Sequence, residues 1–413
     1  MPILVPCKEL EAGMLLSEAI RQDGRTLLAA HKTLSNSDIR SLNLRIPEAT
    51  IRVIEPEFDD IVNFEDDSKD RELADSVRGR INEAIGDVPV QLMERTSLHR
   101  IDVSKLYSTV AEVVDYMQTN PTAAAMLPRA VDPDCFLAKR AGTVFYLSVL
   151  LGATMREYVI HERLKRLQAH DIGRQTLDDL TPLGLGVLFM DVGLTSHLDL
   201  FKEDRKLTPG ECRQVRAHPH AGVDMLPRNF SAVAQVVVKT HHENYENAGY
   251  PENRIGYQLH VFSRIARVAD AFEAATASQV FPGARSPVRV LWEMTSGPYR
   301  RFYDPAVLEV LSSLIQPFPI GSKLRLADGR YAIVVRYNRK KPLRPKLLIA
   351  YDEEGRRLPR ARLIGPVDMD TQPEIQIASW GKEDLTFLNA GGGGAPRAEN
   401  SSGFSTMFEA LYP

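Results

Sequence analysis

From about Val77 to Leu314 apolar residues return every three or four positions, and no strand-like run interrupts them. Ile101, Leu106, Val110, Val113, Val114 and Met117 form one stripe, closed by Asn120-Pro121. Val144, Leu147, Leu150 and Leu151 form a second, and Val261, Ile265, Val268 and Phe272 a third. Amphipathic helices of this kind bury their stripes against one another, so residues 77–319 are expected to form an all-α helical core domain. The most apolar run, Val144 to Met155, is shorter than the roughly 20 residues that cross a bilayer, and it reads as a buried helix.

The period changes on both sides of this stretch. Residues 1–55 read as a small N-terminal α/β module. In it, Asp23-Gly24 is placed for a hairpin turn, Ser35 with Asp38 caps a short helix, and Thr50 to Ile54 forms a strand. Acidic residues then dominate a linker over residues 56–76. Beyond the helical stretch, Lys323 to Leu326, Tyr331 to Tyr337 and Lys346 to Tyr351 are β-like runs, giving a small β appendage over residues 320–380. Its Arg339-Lys340-Lys341 run reads as a solvated loop, with phosphate contact as the alternative. Residues 381–413, which include Gly391-Gly392-Gly393-Gly394, read as a Gly/Ser-rich disordered tail. The fold class expected is mainly α, an all-α helical core carrying two small appended modules.

A net charge of -3 offers no electrostatic reason for a DNA or membrane partner. Cys7, Cys135 and Cys212 are few, odd in number and far apart, which excludes a disulfide framework and fits a reducing, cytoplasmic setting.

Four pieces of the helical stretch carry candidate ligands: Met190-Asp191, His218-Pro219-His220, His241-His242 and Ala269-Asp270. Neighbouring side chains on a helix diverge by about 100°, so two adjacent imidazoles serve one purpose only if something collects them. A metal ion at a helix end does so, since neutral imidazole suits zinc, iron, nickel and manganese. A plain surface pair is the other reading.

In their order these pieces resemble the HD-GYP family, a branch of the HD superfamily of metal-dependent phosphohydrolases whose best-known substrate is cyclic di-GMP. Leu183 to Gly193 is similar to the family's apolar helix ending in His-Asp, and Ala217-His218-Pro219-His220 to its next segment. His241-His242-Glu243 with Gly249-Tyr250-Pro251 is similar to the loop that names the family, and Ala269-Asp270-Ala271-Phe272 to the last ligand helix. The resemblance implies metal ligands at Asp191, His218, His241, His242 and Asp270, with Asp191 also catalytic, and substrate contacts at Gly249, Tyr250 and Pro251. A second His-Asp, His170-Asp171, follows a charged stretch instead of an apolar helix and reads as a solvated loop.

Against the family's pattern, Phe136, Arg140, Met190, Leu194 and Gln279 stand where charged or ligating residues are usual. Asn244 likewise stands in place of an arginine, and Asn247 in place of a glycine. A thioether is a poor ligand for hard divalent ions and a guanidinium is none. The resemblance therefore implies one ion rather than two, iron or manganese before zinc or nickel. Arg140 either pairs with Asp191 and Asp270 in the space of the missing ion or lies on the surface. Two functions follow: a cyclic di-GMP phosphodiesterase with a degraded site and impaired hydrolysis, or a catalytically inactive pseudo-phosphodiesterase acting as a receptor for that or a related nucleotide or as a protein-interaction signalling module. A homodimer is compatible with either. The ligand-free HDOD branch of the fold is disfavoured by His218, His241, His242 and Asp270.

Overall fold

In the computed structural model the described residues are 2–22, 25–47, 49–54, 103–119, 136–166, 177–201, 207–246, 249–276, 285–297 and 299–389. They fall into two compact units, one drawn from described residues of 2–54 and 316–389 and the other from described residues of 103–315.

The first unit joins both ends of the chain. β1 (Pro2–Pro6), β2 (Leu15–Leu16) and β5 (Thr50–Ile54) form a sheet in the order β1-β5-β2, and β3 (Ile20–Gln22) pairs with β4 (Arg25–Leu28) as the expected hairpin. Helix α1 (Asn36–Arg45) begins at a capping box in which Ser35 and Asp38 bond each other's backbone N–H, as the sequence predicts. β6 (Lys323–Leu326), β7 (Tyr331–Arg336), β8 (Lys346–Tyr351), β9 (Ile364–Asp368), β10 (Ile377–Trp380) and β11 (Glu383–Asp384) form a six-stranded antiparallel sheet in the order β11-β10-β6-β7-β8-β9. Ile333 and Val335 of β7 and Leu348 and Ala350 of β8 share one core with Ile3, Val5, Leu16, Leu42 and Val53. The Leu4 N–H donates to the Gly321 carbonyl at 2.9 Å.

Two readings of the ends need correction. The N-terminal module and the β appendage are not separate pieces. β7 and β8 are buried on both faces, which is why they read as continuous apolar runs instead of alternating ones. The ordered region also extends past residue 380, through β11 and a 3-10 turn, Thr386–Leu388, with Leu385 and Phe387 buried.

The second unit is helical: α2 (Val103–Thr119), α3 (Phe136–Thr154), α4 (Arg156–Leu164), α5 (Thr181–Phe189), α6 (Pro209–Arg216), α7 (His218–Met225), α8 (Ala232–Thr240), α9 (Val261–Thr276), α10 (Pro287–Thr295) and α11 (Pro305–Leu314). Helix α5 lies at its centre, every residue buried, packed against α2, α3, α8 and α9. Gly186 permits that packing, since a Cβ there would stand 2.6 Å from Val237 Cβ of α8. The run from Val144 is buried in α3, and no single helix among the described residues is long and apolar enough to cross a membrane. The acidic linker, residues 390–413, His170-Asp171, Asn247 and Gln279 lie outside the described residues.

Candidate metal centre

Asp191 follows the C-cap of α5, at the mouth of a 3-10 segment, Val192–Phe201. That segment crosses α7 so closely that a Cβ on Gly193 would lie 2.2 Å from the His218 carbonyl oxygen. His218 opens α7, while α8 stops at Thr240, so His241 is its C-cap and His242 has left the helix. This ending lets two adjacent imidazoles converge, with ring centroids 4.1 Å apart, where a continued helix would splay them. One ligand atom from each of Asp191, His218, His241 and His242 lies within 4.8 Å of the others, and all four residues are buried.

The protons in this cluster are fixed by its backbone contacts. His218 Nδ1 lies 2.7 Å from the Val215 carbonyl oxygen and His241 Nδ1 lies 2.9 Å from that of Val238. A carbonyl only accepts, so both Nδ1 atoms carry the hydrogen and both Nε2 atoms carry a lone pair. Those two Nε2 atoms nevertheless face each other at 3.2 Å. Two lone pairs at that distance repel unless a cation stands between them, and a backbone-anchored Nδ1–H behind an inward Nε2 is the usual support of a metal-ligating histidine. Asp191 Oδ1, 3.6 Å from His218 Nε2 and 3.9 Å from His241 Nε2, has no hydrogen-bond partner among the described residues. The donor set therefore fits a divalent transition metal.

Burial keeps these rings neutral. It pushes His218 down to about 3, helped by neighbouring His241, and lowers His241 and His242 as well. Burial alone would raise the Asp191 carboxyl, but the Arg140 guanidinium, with smaller help from His218 and His241, holds it below the usual carboxylate range.

Arg140 is not on the surface. Only 1% of it is exposed, and it lies among three carboxylates: Nη1 donates to Asp191 Oδ2 at 3.1 Å, Nε to Glu273 Oε2 at 3.3 Å, and Nη2 to Asp270 Oδ1. Of the two readings of Arg140, the geometry is that of the pairing with Asp191 and Asp270. Asp270 faces Arg140 and is not one of the four clustered donors. Met190 and Leu194 are fully buried apolar side chains beside Asp191, and Phe136 opens α3.

The Gly249-Tyr250-Pro251 loop folds back on the histidines. Tyr250 stacks on His242 with centroids 4.7 Å apart and planes 19° from parallel, and its buried hydroxyl has no hydrogen-bond partner among the described residues. Burial pushes that hydroxyl well above the usual phenol range. Gly249 is required, because a Cβ would stand 2.5 Å from the His242 carbonyl oxygen. Glu243 clamps the far side by accepting the N–H of Glu252 at 2.6 Å and of Arg254 at 3.0 Å.

Sequence reasoning gave no role to Glu273, Arg267 or Glu243. Glu273 and Arg267 lie three residues either side of Asp270 on α9, a spacing that puts all three on one helix face and signals a shared site. Asn244, standing where an arginine was expected, accepts from Arg267 Nε at 3.1 Å and Nη2 at 2.8 Å. The substitution thus accommodates a buried arginine from α9.

Residues 182–307 match the HD domain family, and residues 324–383 match a KOW domain associated with HD domains. The chain is 26% identical over 176 residues to the cyclic di-GMP phosphodiesterase PA4108 of Pseudomonas aeruginosa, a match covering 42% of each chain. It is 25% identical over 185 residues to the cyclic di-GMP phosphodiesterase response regulator RpfG of Xanthomonas campestris pv. campestris, covering 43% of this chain and 42% of that one. It is also 28% identical over 125 residues to the 3'3'-cGAMP-specific phosphodiesterase 2 of Vibrio cholerae, covering 29% and 24%. The matches thus span less than half the length of these relatives.

Proposed function

We propose that this member of the HD-GYP family is a cyclic-dinucleotide-binding protein with a one-metal centre and impaired phosphodiester hydrolysis. The observation that carries the metal reading is the pair of facing Nε2 lone pairs on His218 and His241, each fixed by an Nδ1–H bond to backbone. Asp191, His218, His241 and His242 would hold the ion, with iron or manganese favoured over zinc or nickel. When bound, a divalent ion supplies Lewis-acid polarisation of a phosphoryl oxygen and activation of water.

The rest of the chemistry belongs to the chain. Tyr250, stacked on His242, brings an aromatic ring to the centre, with the Arg216 guanidinium 5.8 Å from that ring. Its hydroxyl stays protonated and can donate to a phosphate oxygen. The names of the relatives point to a cyclic dinucleotide, cyclic di-GMP before cyclic GMP-AMP. Arg140 and Met190 bring no lone pair suited to a hard ion, so a second ion has no ligands from them. Loss of one ion of a two-ion mechanism is expected to slow hydrolysis on the order of a thousandfold.

The second reading is a catalytically inactive nucleotide receptor or protein-interaction signalling module, favoured by the same Arg140 among its carboxylates. Metal analysis of the purified chain beside a cyclic di-GMP hydrolysis assay separates them. One ion with slow turnover supports the first, nucleotide binding with no turnover supports the second, and two ions with rapid turnover refute both.

A further inference from the structure

Three carboxylates that are nearly inaccessible to water converge on one point of the helical unit. Asp191, Asp270 and Glu273 are 2%, 0% and 8% exposed, and each accepts from a different nitrogen of Arg140. Three carboxylates this dry on one guanidinium leave Arg140 as the cation that balances them. Asp191 divides its oxygens: Oδ2 accepts from Arg140, while Oδ1 faces the Nε2 atoms of His218 and His241. It is a carboxylate shared between two cation positions. Asp270 and Glu273 come from one face of α9, and Arg140 enters from α3 opposite them.

We infer that the guanidinium of Arg140 is the built-in second cation of this centre, seated in an oxygen pocket of Asp191, Asp270 and Glu273 that accepts a divalent ion once the guanidinium is removed. The inference rests on the one-metal reading above and adds a site, with Glu273 as its third ligand. An all-carboxylate pocket suits a hard ion such as manganese or magnesium. Arginine keeps its proton in proteins, so it fills the pocket permanently, offers donors only and presents no open position for water or a phosphate oxygen. It neutralises the carboxylates without contributing a Lewis acid.

The test is metal stoichiometry of the full chain, by equilibrium dialysis against Mn²⁺ and elemental analysis. The native protein is expected to bind about one equivalent, Arg140→Ala and Arg140→Gln about two, and Arg140→Ala/Glu273→Gln about one again. Melting supplies a second readout: without metal both single variants should melt below the native chain, and Mn²⁺ should raise their Tm by more than it raises the native one. One equivalent in native and single variants alike overturns the inference and leaves the one-metal centre standing. No metal in the native chain overturns that centre and the inference with it. Variants that aggregate equally with and without Mn²⁺ also count against it, because the ion is required to replace the guanidinium.

Discussion

Gly193 and Gly222 are both glycines where the 3-10 segment meets α7, yet they do different things. A Cβ on Gly193 would meet the His218 carbonyl oxygen at 2.2 Å and the Gly222 nitrogen at 2.8 Å, and backbone cannot move aside as a side chain can. A Cβ on Gly222 would meet Val238 Cγ1 at 3.3 Å, a contact that a small shift relieves. Gly193→Ala should therefore cost about 3 kcal/mol in urea unfolding and lower the metal content, while Gly222→Ala costs well under half of that. The histidines make a pH prediction at the same scale. Their folded values lie below the unfolded value, His218 at about 3, so below an unfolded pKa of about 6.5 the unfolded chain binds more protons than the folded one. Glu273 acts oppositely: burial, partly offset by Arg140, pushes it up to about 7, so its contribution is full below its unfolded value and is lost as pH rises through about 7. Three histidines outweigh one carboxyl. Metal-free protein should lose stability as pH falls from about 6.5 towards 4.5, as read by urea midpoints, and a midpoint that rises on acidification would contradict the neutral-imidazole assignment.

At the scale of elements, Asp304 shows one side chain holding several helices together. Its Oδ1 accepts from Ala306 N–H at 2.9 Å and so caps α11. Its Oδ2 accepts from Arg264 of α9 at 2.6 Å and from the Tyr158 hydroxyl of α4 at 2.8 Å. Asp304→Ala removes the cap and leaves Arg264 buried without this partner, at an expected cost of about 3–5 kcal/mol, whereas Asp304→Asn keeps a capping oxygen and should cost less. Thermal melting of both variants, with metal content unchanged, checks this. The elements also show what was legible in sequence. The stripes through Val110, Leu150 and Ile265 and the Ser35-Asp38 cap identified helices because period and capping are local. The strand β1 was not legible, because Pro2 and Pro6 bound it and its pairing with β5 spans almost fifty residues of sequence. The clustered donors Asp191, His218, His241 and His242 were legible as motif pieces. The fate of Arg140 was not settled, since burial depends on α3 meeting α9, and Glu273 needed the helical spacing from Asp270 to be noticed.

At the scale of the whole molecule, the chain leaves one unit after the first strands, builds the helical unit, and returns to finish the one it left. The separation in sequence hid this, because each half of the first unit is patterned as a small module in its own right. Neither half covers its own apolar surface. Ile3, Val5, Leu16 and Val53 are at most 5% exposed only because Ile333, Val335, Leu348 and Ala350 share their cluster, and those strands are themselves buried on both faces. Each buried aliphatic side chain of this size contributes roughly 1.5–3 kcal/mol, so a piece lacking its counterpart loses several such terms at once, more than a small domain has to spare. Residues 1–68 expressed alone should accordingly give the narrow amide dispersion of an unfolded chain. Addition of a separately expressed 316–396 piece should produce a dispersed spectrum and one cooperative melt for the pair. Two pieces that each fold alone and show no mutual shift would mean that the shared core contributes nothing to stability, and the strands β7 and β8 would then have to tolerate polar substitutions at Ile333 and Leu348.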